Sequence, residues 1–181
     1  MRLFAALPLP ETARAPLAEA ADALRQDGWP VRWLDAPLMH LTLKFYGDVT
    51  DERAAAIGDA LAGATEGTGA VLLEIAGLGT LPGGRAARVI VANVEPAPAL
   101  ELLQHRVERA SEAVGVPVEG RPFRPHVTLG RVRQGERLPV AARAKLARRP
   151  ITASALAERV ELYESRASAG GPRYVAHRSY E

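Results

Sequence analysis

Two segments of the chain carry the same pattern, His-x-Thr-Leu, one starting at His40 and one at His126. In an extended strand, residues i and i+2 share a face. His40 and Thr42 therefore face one way, against Leu41, Leu43 and Phe45, and His126 and Thr128 repeat the arrangement against Val127 and Leu129. Burying the aliphatic set leaves an imidazole and a hydroxyl on the open side of each strand. An imidazole with an ordinary pKa of about 6.5 populates both protonation states near neutrality. Two of them around one cleft can accept a proton from an attacking water and donate one to a leaving oxygen. The threonine hydroxyls and nearby cations can hold the charge that builds on a phosphoryl group. Displacement at phosphorus is the chemistry this set predicts, with His40 and His126 as the catalytic pair.

Other chemistries find less support. Two histidines are fewer than the three protein ligands of an ordinary catalytic zinc, and no His-Glu-x-x-His segment lies near either copy. There is no Gly-x-Ser-x-Gly elbow and no glycine-rich loop with the spacing that cradles a nucleoside triphosphate. The absence of cysteine removes thiolate nucleophiles, disulfides and cysteine-based zinc sites. No metal and no cofactor are expected.

The elements that must position these residues alternate along the chain. Residues 2–7, 31–34 and 40–46 read as strands. Residues 11–26 read as a helix containing Pro16 and ending at Gly28, and residues 51–62 as a helix with acids at its N-terminal end. Residues 71–81 and 87–95 flank Pro82-Gly83-Gly84 as a hairpin. Helices follow at 97–114 and about 139–148. Strands at 157–167 and 173–180 are joined by Gly170-Gly171-Pro172. The two motifs lie 86 residues apart in a chain of 181. Each follows a proline-containing approach and precedes an alanine-rich helix, so two similar half-domains are expected to pack as one unit.

The chain is nearly half apolar, enough for a core, and has no run of about 18 apolar residues to span a membrane. MRLFAALPLP, broken by Pro8 and Pro10, is unlike a secretory leader. A cytoplasmic protein is expected. Net charge is +2, yet residues 121–149 hold nine Arg or Lys against Glu136 alone. A local excess of +8 beside a histidine motif suits a polyanion such as RNA.

Taken with the order of RLFAALPLP, HLTLKFYGDV, FRPHVTLGR and ELYESRASAGGPRY, the motif pair resembles the two-histidine (2H) phosphoesterases. Within them it is most similar to the RNA 2′,3′-cyclic phosphodiesterases, also called 2′-5′ RNA ligases. The resemblance implies an α+β fold over residues 1–181: two pseudo-twofold-related, interleaved lobes of antiparallel sheet, with outer helices and a central cleft. It implies water attack on a terminal 2′,3′-cyclic phosphate, leaving a 2′-phosphomonoester, with 2′-5′ ligation as the reverse process. His40 matches the proton donor, His126 the acceptor, Thr42 and Thr128 the phosphate contacts, and Arg131 an arginine at the phosphate site. The implied partners are RNA ends carrying the cyclic phosphate, tRNA halves among the candidates, and the protein is expected to be monomeric. Two alternatives stay open: the same chemistry on a small nucleotide, and a noncatalytic RNA-binding module.

Strict alternation sets Arg131 on the face of Leu129, away from His126, unless a bulge or a strand end at Gly130 redirects it. The same alternation puts Lys44 on the His40 face, where it could touch a phosphate. Phe123 and Tyr46 could stack on a base, although packing suits both better. His105 reads as solvated on a helix, and His177 as a structural residue of the last strand.

Overall fold

The computed structural model describes residues 1–169 and 171–181. Gly170, assigned above to a turn, lies outside the described residues. The strands are β1 (Arg2–Pro8), β2 (Val31–Trp33), β3 (His40–Asp48), β4 (Val71–Leu81), β5 (Val89–Val94), β6 (His126–Val132), β7 (Thr152–Ala157), β8 (Val160–Ser168) and β9 (Gly171–Tyr180). The helices are α1 (Glu11–Arg25), α2 (Asp51–Thr65), α3 (Pro98–Ala113) and α4 (Val140–Arg148).

Local chemistry accounts for the helices. In α1, Ala13, Leu17, Ala20, Ala21 and Leu24 recur at helical spacing and are buried, and Gly28 takes a positive φ of 66° beyond its end. Thr50 caps α2 by accepting from the Arg53 amide at 3.2 Å, and Asp51 and Glu52 face the positive end of its dipole. α2 and α3 pack on each other and reach β9 and β3 respectively, α1 lies along β6 and β7, and α4 along β4.

The described strands form one antiparallel sheet in the order β7-β4-β5-β6-β3-β1-β8-β9, with β2 paired to β6. It divides into two halves of four, β9-β8-β1-β3 and β7-β4-β5-β6, each ending in a motif strand. The halves meet where β3 lies beside β6, and Leu41 with Val127 is the one residue pair recorded between them among the described residues. The two lobes are thus halves of a continuous sheet rather than separate sheets. The half β7-β4-β5-β6 is one contiguous stretch of chain, from Val71 to Ala157, set between β3 and β8 of the other half, while β2 joins it through β6.

The sequence reading missed β7 and merged its last residue, Ala157, with β8. Its sequence, TASALA, has one β-branched residue and no aromatic, so the propensity signal is weak. Pairing from Val71–Ala157 to Ala76–Thr152 makes it a strand.

Candidate active site

The seam between the halves sets the site. Leu41 and Val127, its paired residues, are fully buried. Carried one residue either way, the antiparallel register sets His40 across from Thr128 and Thr42 across from His126. The two histidines become diagonal neighbours, a relation that sets residues about 7–8 Å apart with their Cβ atoms somewhat closer. One phosphoryl group can bridge such a gap.

Both imidazoles are held alike. His40 Nδ1 bonds the Leu38 carbonyl at 2.7 Å, and His126 Nδ1 bonds the Arg124 carbonyl at 2.7 Å. A carbonyl only accepts, so Nδ1 carries the hydrogen in each ring and Nε2 is left for chemistry. The proline-containing approaches noted in the sequence provide these carbonyls. The 3₁₀ turn Ala36–Leu38 presents Leu38 two residues before His40, and Arg124-Pro125 does the same before His126.

The surroundings of the two rings differ. Phe4 lies 4.9 Å from His40 between ring centroids, and Tyr174 meets it edge-on at 5.2 Å, with Tyr163 behind at 6.2 Å. Burial in this aromatic wall lowers the His40 pKa to about 4. The bond to Leu38 works the other way, and the positive charges of Arg131 and His126 add to the lowering. Free His40 is therefore neutral at pH 7. His126 has no aromatic ring against it among the described residues.

Each motif strand carries a bulge at the same offset. Ala5 and Ala6 of β1 pair with Lys44 and Thr42, which leaves Leu43 as the extra residue. Ile90 and Val91 of β5 pair with Gly130 and Thr128, which leaves Leu129 extra. A bulge breaks the alternation of faces beyond it. The residue four after each histidine is therefore buried, and the residue five after it is exposed. Arg131 is thereby released from the face of Leu129, and its charge acts on His40.

The same bulge corrects the expectation for Lys44. It turns inward instead of joining the His40 face, and its side chain is 3% exposed. Its ammonium bonds Glu108 of α3 at 2.6 Å and the Pro117 carbonyl at 3.0 Å. A buried, paired lysine is not available to a phosphate.

Phe45 takes the place that alternation assigned to Lys44. It is 64% exposed, with its ring 6.0 Å from that of Phe4, which also touches His40. The sequence reading set Phe45 with Leu41 and Leu43 on the buried face, and the bulge at Leu43 turns it out instead. Aligning HLTLKF with HVTLGR, which sets it against Arg131, is the signal that finds it. Phe123 and Tyr46 pack against the core, and the Tyr46 hydroxyl bonds Ser111 at 3.1 Å. His105 is exposed on α3. His177 is exposed on β9 and takes no part in the aromatic wall, whereas Tyr174 on the same strand does. Thr42 and Thr128 are half-buried. Among the described residues no group of three His, Asp or Glu side chains is placed to hold a metal ion, and no helix is long and apolar enough to cross a membrane.

A model of the 2′-5′ RNA ligase superfamily matches residues 10–169. The chain belongs to that superfamily. An RNA 2′,3′-cyclic phosphodiesterase of Thermus thermophilus is 37% identical over 72% of this chain and 68% of its own length. One from Geobacillus stearothermophilus is 33% identical over 74% of this chain but 42% of that protein. The crystal structure of TT0787 of Thermus thermophilus superposes with a TM-score of 0.82 at 26% identity, covering 99% of this chain and 97% of that one. The superfamily fold therefore extends over β9, beyond the residues that the family model matches.

Proposed function

We propose that the protein hydrolyses RNA 2′,3′-cyclic phosphate ends to 2′-phosphomonoesters without a metal, and that residues 1–181 act as one catalytic domain. The observation that carries this reading is the matched pair of imidazoles, each held through Nδ1 by the carbonyl two residues back. They sit on neighbouring strands, with Arg131 close enough for its charge to reach His40. The names of the curated relatives support the same substrate.

Water attacks phosphorus as the P–O3′ bond breaks. His126 Nε2 takes the proton of the water, and His40 Nε2 delivers a proton to the departing O3′. The hydroxyls of Thr42 and Thr128 and the guanidinium of Arg131 hold the non-bridging oxygens as their charge grows. With a 5′-hydroxyl attacking in place of water, the same transfers break the P–O3′ bond and form a 2′-5′ phosphodiester, which is ligation. Phe45 offers an exposed ring for the terminal base.

A donor must carry a proton, and burial keeps His40 neutral in the free protein. A bound phosphodiester anion reverses that balance, because a negative charge beside an imidazole favours its charged form. Substrate therefore loads the acid.

The test is incubation with an oligoribonucleotide ending in a 2′,3′-cyclic phosphate, in chelator, with identification of the product. A 2′-phosphate is expected. A 3′-phosphate product, or loss of activity on chelation, overturns the reading. A second measurement addresses the roles. With an aryl phosphodiester, whose leaving group needs no proton, His40→Ala should retain activity and His126→Ala should not; the reverse result would exchange the two assignments.

A further inference from the structure

The basic segment 121–149 does not gather at the histidines. Arg121 pairs with Glu119, and Lys145 with Asp27. Arg131 is at the cleft. Arg137 and Arg143 instead join Arg85, from the β4–β5 hairpin, around a separate groove of about 930 Å³ between that hairpin and α4. Its lining includes no acidic residue and none of the motif residues. The three arginines are exposed and make no ion pair among the described residues. Between them lies an apolar floor that includes Leu78, Ala87, Leu138 and Leu146.

Cations around an apolar floor match the two repeating parts of a single strand of RNA. Guanidinium forks take phosphates bidentately, and a base shed from its stack can rest on carbon. The groove is also tied to the cleft. Val89, at the base of the hairpin, pairs with Arg131. The Arg88 carbonyl accepts from the Val132 amide at 2.9 Å, and the Arg88 guanidinium bonds the Glu136 carbonyl at 3.1 Å. Leu78 of the groove floor pairs with Ala92 and Ala92 with Val127, on the face away from the histidines, so a strand leaving the cleft past Arg131 reaches Arg85 and Arg137 by turning around the hairpin.

We propose that this groove binds the single-stranded RNA preceding the reacting terminal nucleotide, so that Arg85, Arg137 and Arg143 make the enzyme prefer a polynucleotide end over a mononucleotide. The proposal rests on the cyclic phosphodiesterase reading and adds a subsite to it.

The experiment compares the wild-type protein with the triple variant Arg85→Ala/Arg137→Ala/Arg143→Ala. Substrates are a nucleoside 2′,3′-cyclic phosphate and a series of lengthening oligoribonucleotides with the same terminus, each over a range of salt. For the wild type, kcat/KM should rise with length. In the triple variant, the KM for the longer substrates should rise about tenfold at low salt, with kcat unchanged. The slope of log KM against log salt should fall by about two, since each single-strand phosphate contact contributes roughly 0.7. Mononucleotide hydrolysis should be unchanged, which also reports that the variant is folded. Equal oligonucleotide kinetics in the two proteins overturn the groove and leave the cyclic phosphodiesterase reading intact, as does a loss shared equally by mononucleotide and oligonucleotide. Failure of the wild type on every substrate overturns the underlying reading instead.

Discussion

The strand that begins at His40 and the strand that begins at His126 share a backbone and differ in what hangs from it. Both hold a histidine by its Nδ1 and set a threonine two residues on, and both bulge at the third residue after the histidine. Past the bulge they part. The first strand buries Lys44 against Glu108 and exposes Phe45. The second buries Gly130, where a Cβ would come within 2.6 Å of Val31 Cγ1 and 3.1 Å of the Trp33 ring, and exposes Arg131. The fourth position answers to packing, under a helix in one half and under β2 in the other. The fifth answers to the cleft, as a ring in one half and a charge in the other. A symmetric frame thus carries an asymmetric site, and substitutions along the two strands test how far the symmetry extends.

The largest effect belongs to the shared first position. His40→Ala and His126→Ala should each lower kcat by about 10²- to 10⁴-fold on an RNA cyclic phosphate, with an unchanged circular dichroism spectrum. If one variant keeps full activity, the two strands are not functional equivalents.

At the fourth position the cost falls on stability. Lys44→Met leaves the Glu108 carboxylate buried without its partner, which costs about 3–5 kcal/mol and should lower the chemical-denaturation midpoint. Adding Glu108→Leu should recover most of that loss. A single variant as stable as the wild type would show that the pair is not confined by its surroundings.

The fifth positions should separate by kinetic signature. Arg131→Ala removes charge stabilisation and should lower kcat by about 10²- to 10³-fold. Phe45→Ala should act on binding, at about 1–3 kcal/mol read as a higher KM, with little change in kcat. Similar signatures for both would dissolve the division between ring and charge.

The smallest effect distinguishes the two histidines themselves. The limb on which kcat/KM falls as pH rises, which reports loss of the donor's proton in the free enzyme, should inflect near pH 4, where His40 changes charge. Removing part of the desolvating wall with Tyr174→Ala should move that limb upward, toward 6.5, while Tyr174→Phe should leave it in place. The same shift carries a sign for stability. His40 is neutral in the fold and takes up a proton more readily when unfolded, so its contribution is present above about pH 6.5 and is lost as pH falls toward 4.

Much of the frame was legible in the sequence, because it rests on local signals. The His-x-Thr-Leu repeat located the two central strands, alternation buried Leu41 and Val127, and the prolines marked the approaches that hold each imidazole. The losses share a cause: partners distant in sequence. A bulge is defined by the strand opposite it, so counting residues along β3 sent both Lys44 and Phe45 to the wrong face. At Arg131 the counting rule visibly failed, and only there did the sequence itself ask for a bulge or a strand end. β7 became a strand through the edge of β4, a partner far away along the chain, and its three alanines and one serine gave no sign of that. The aromatic wall was equally hidden, since Phe4, Tyr163 and Tyr174 meet at His40 from three strands.

The narrowness of the strand join has a consequence for what braces it. Leu41 and Val127 alone are paired across the seam among the described residues, so the spacing of the imidazoles depends also on what lies behind the sheet. Helix α3 packs on β3 of one half and on β4 of the other, and Lys44 of β3 is bonded to its Glu108. It is a splint across the seam, and the buried ion pair is one of its fastenings.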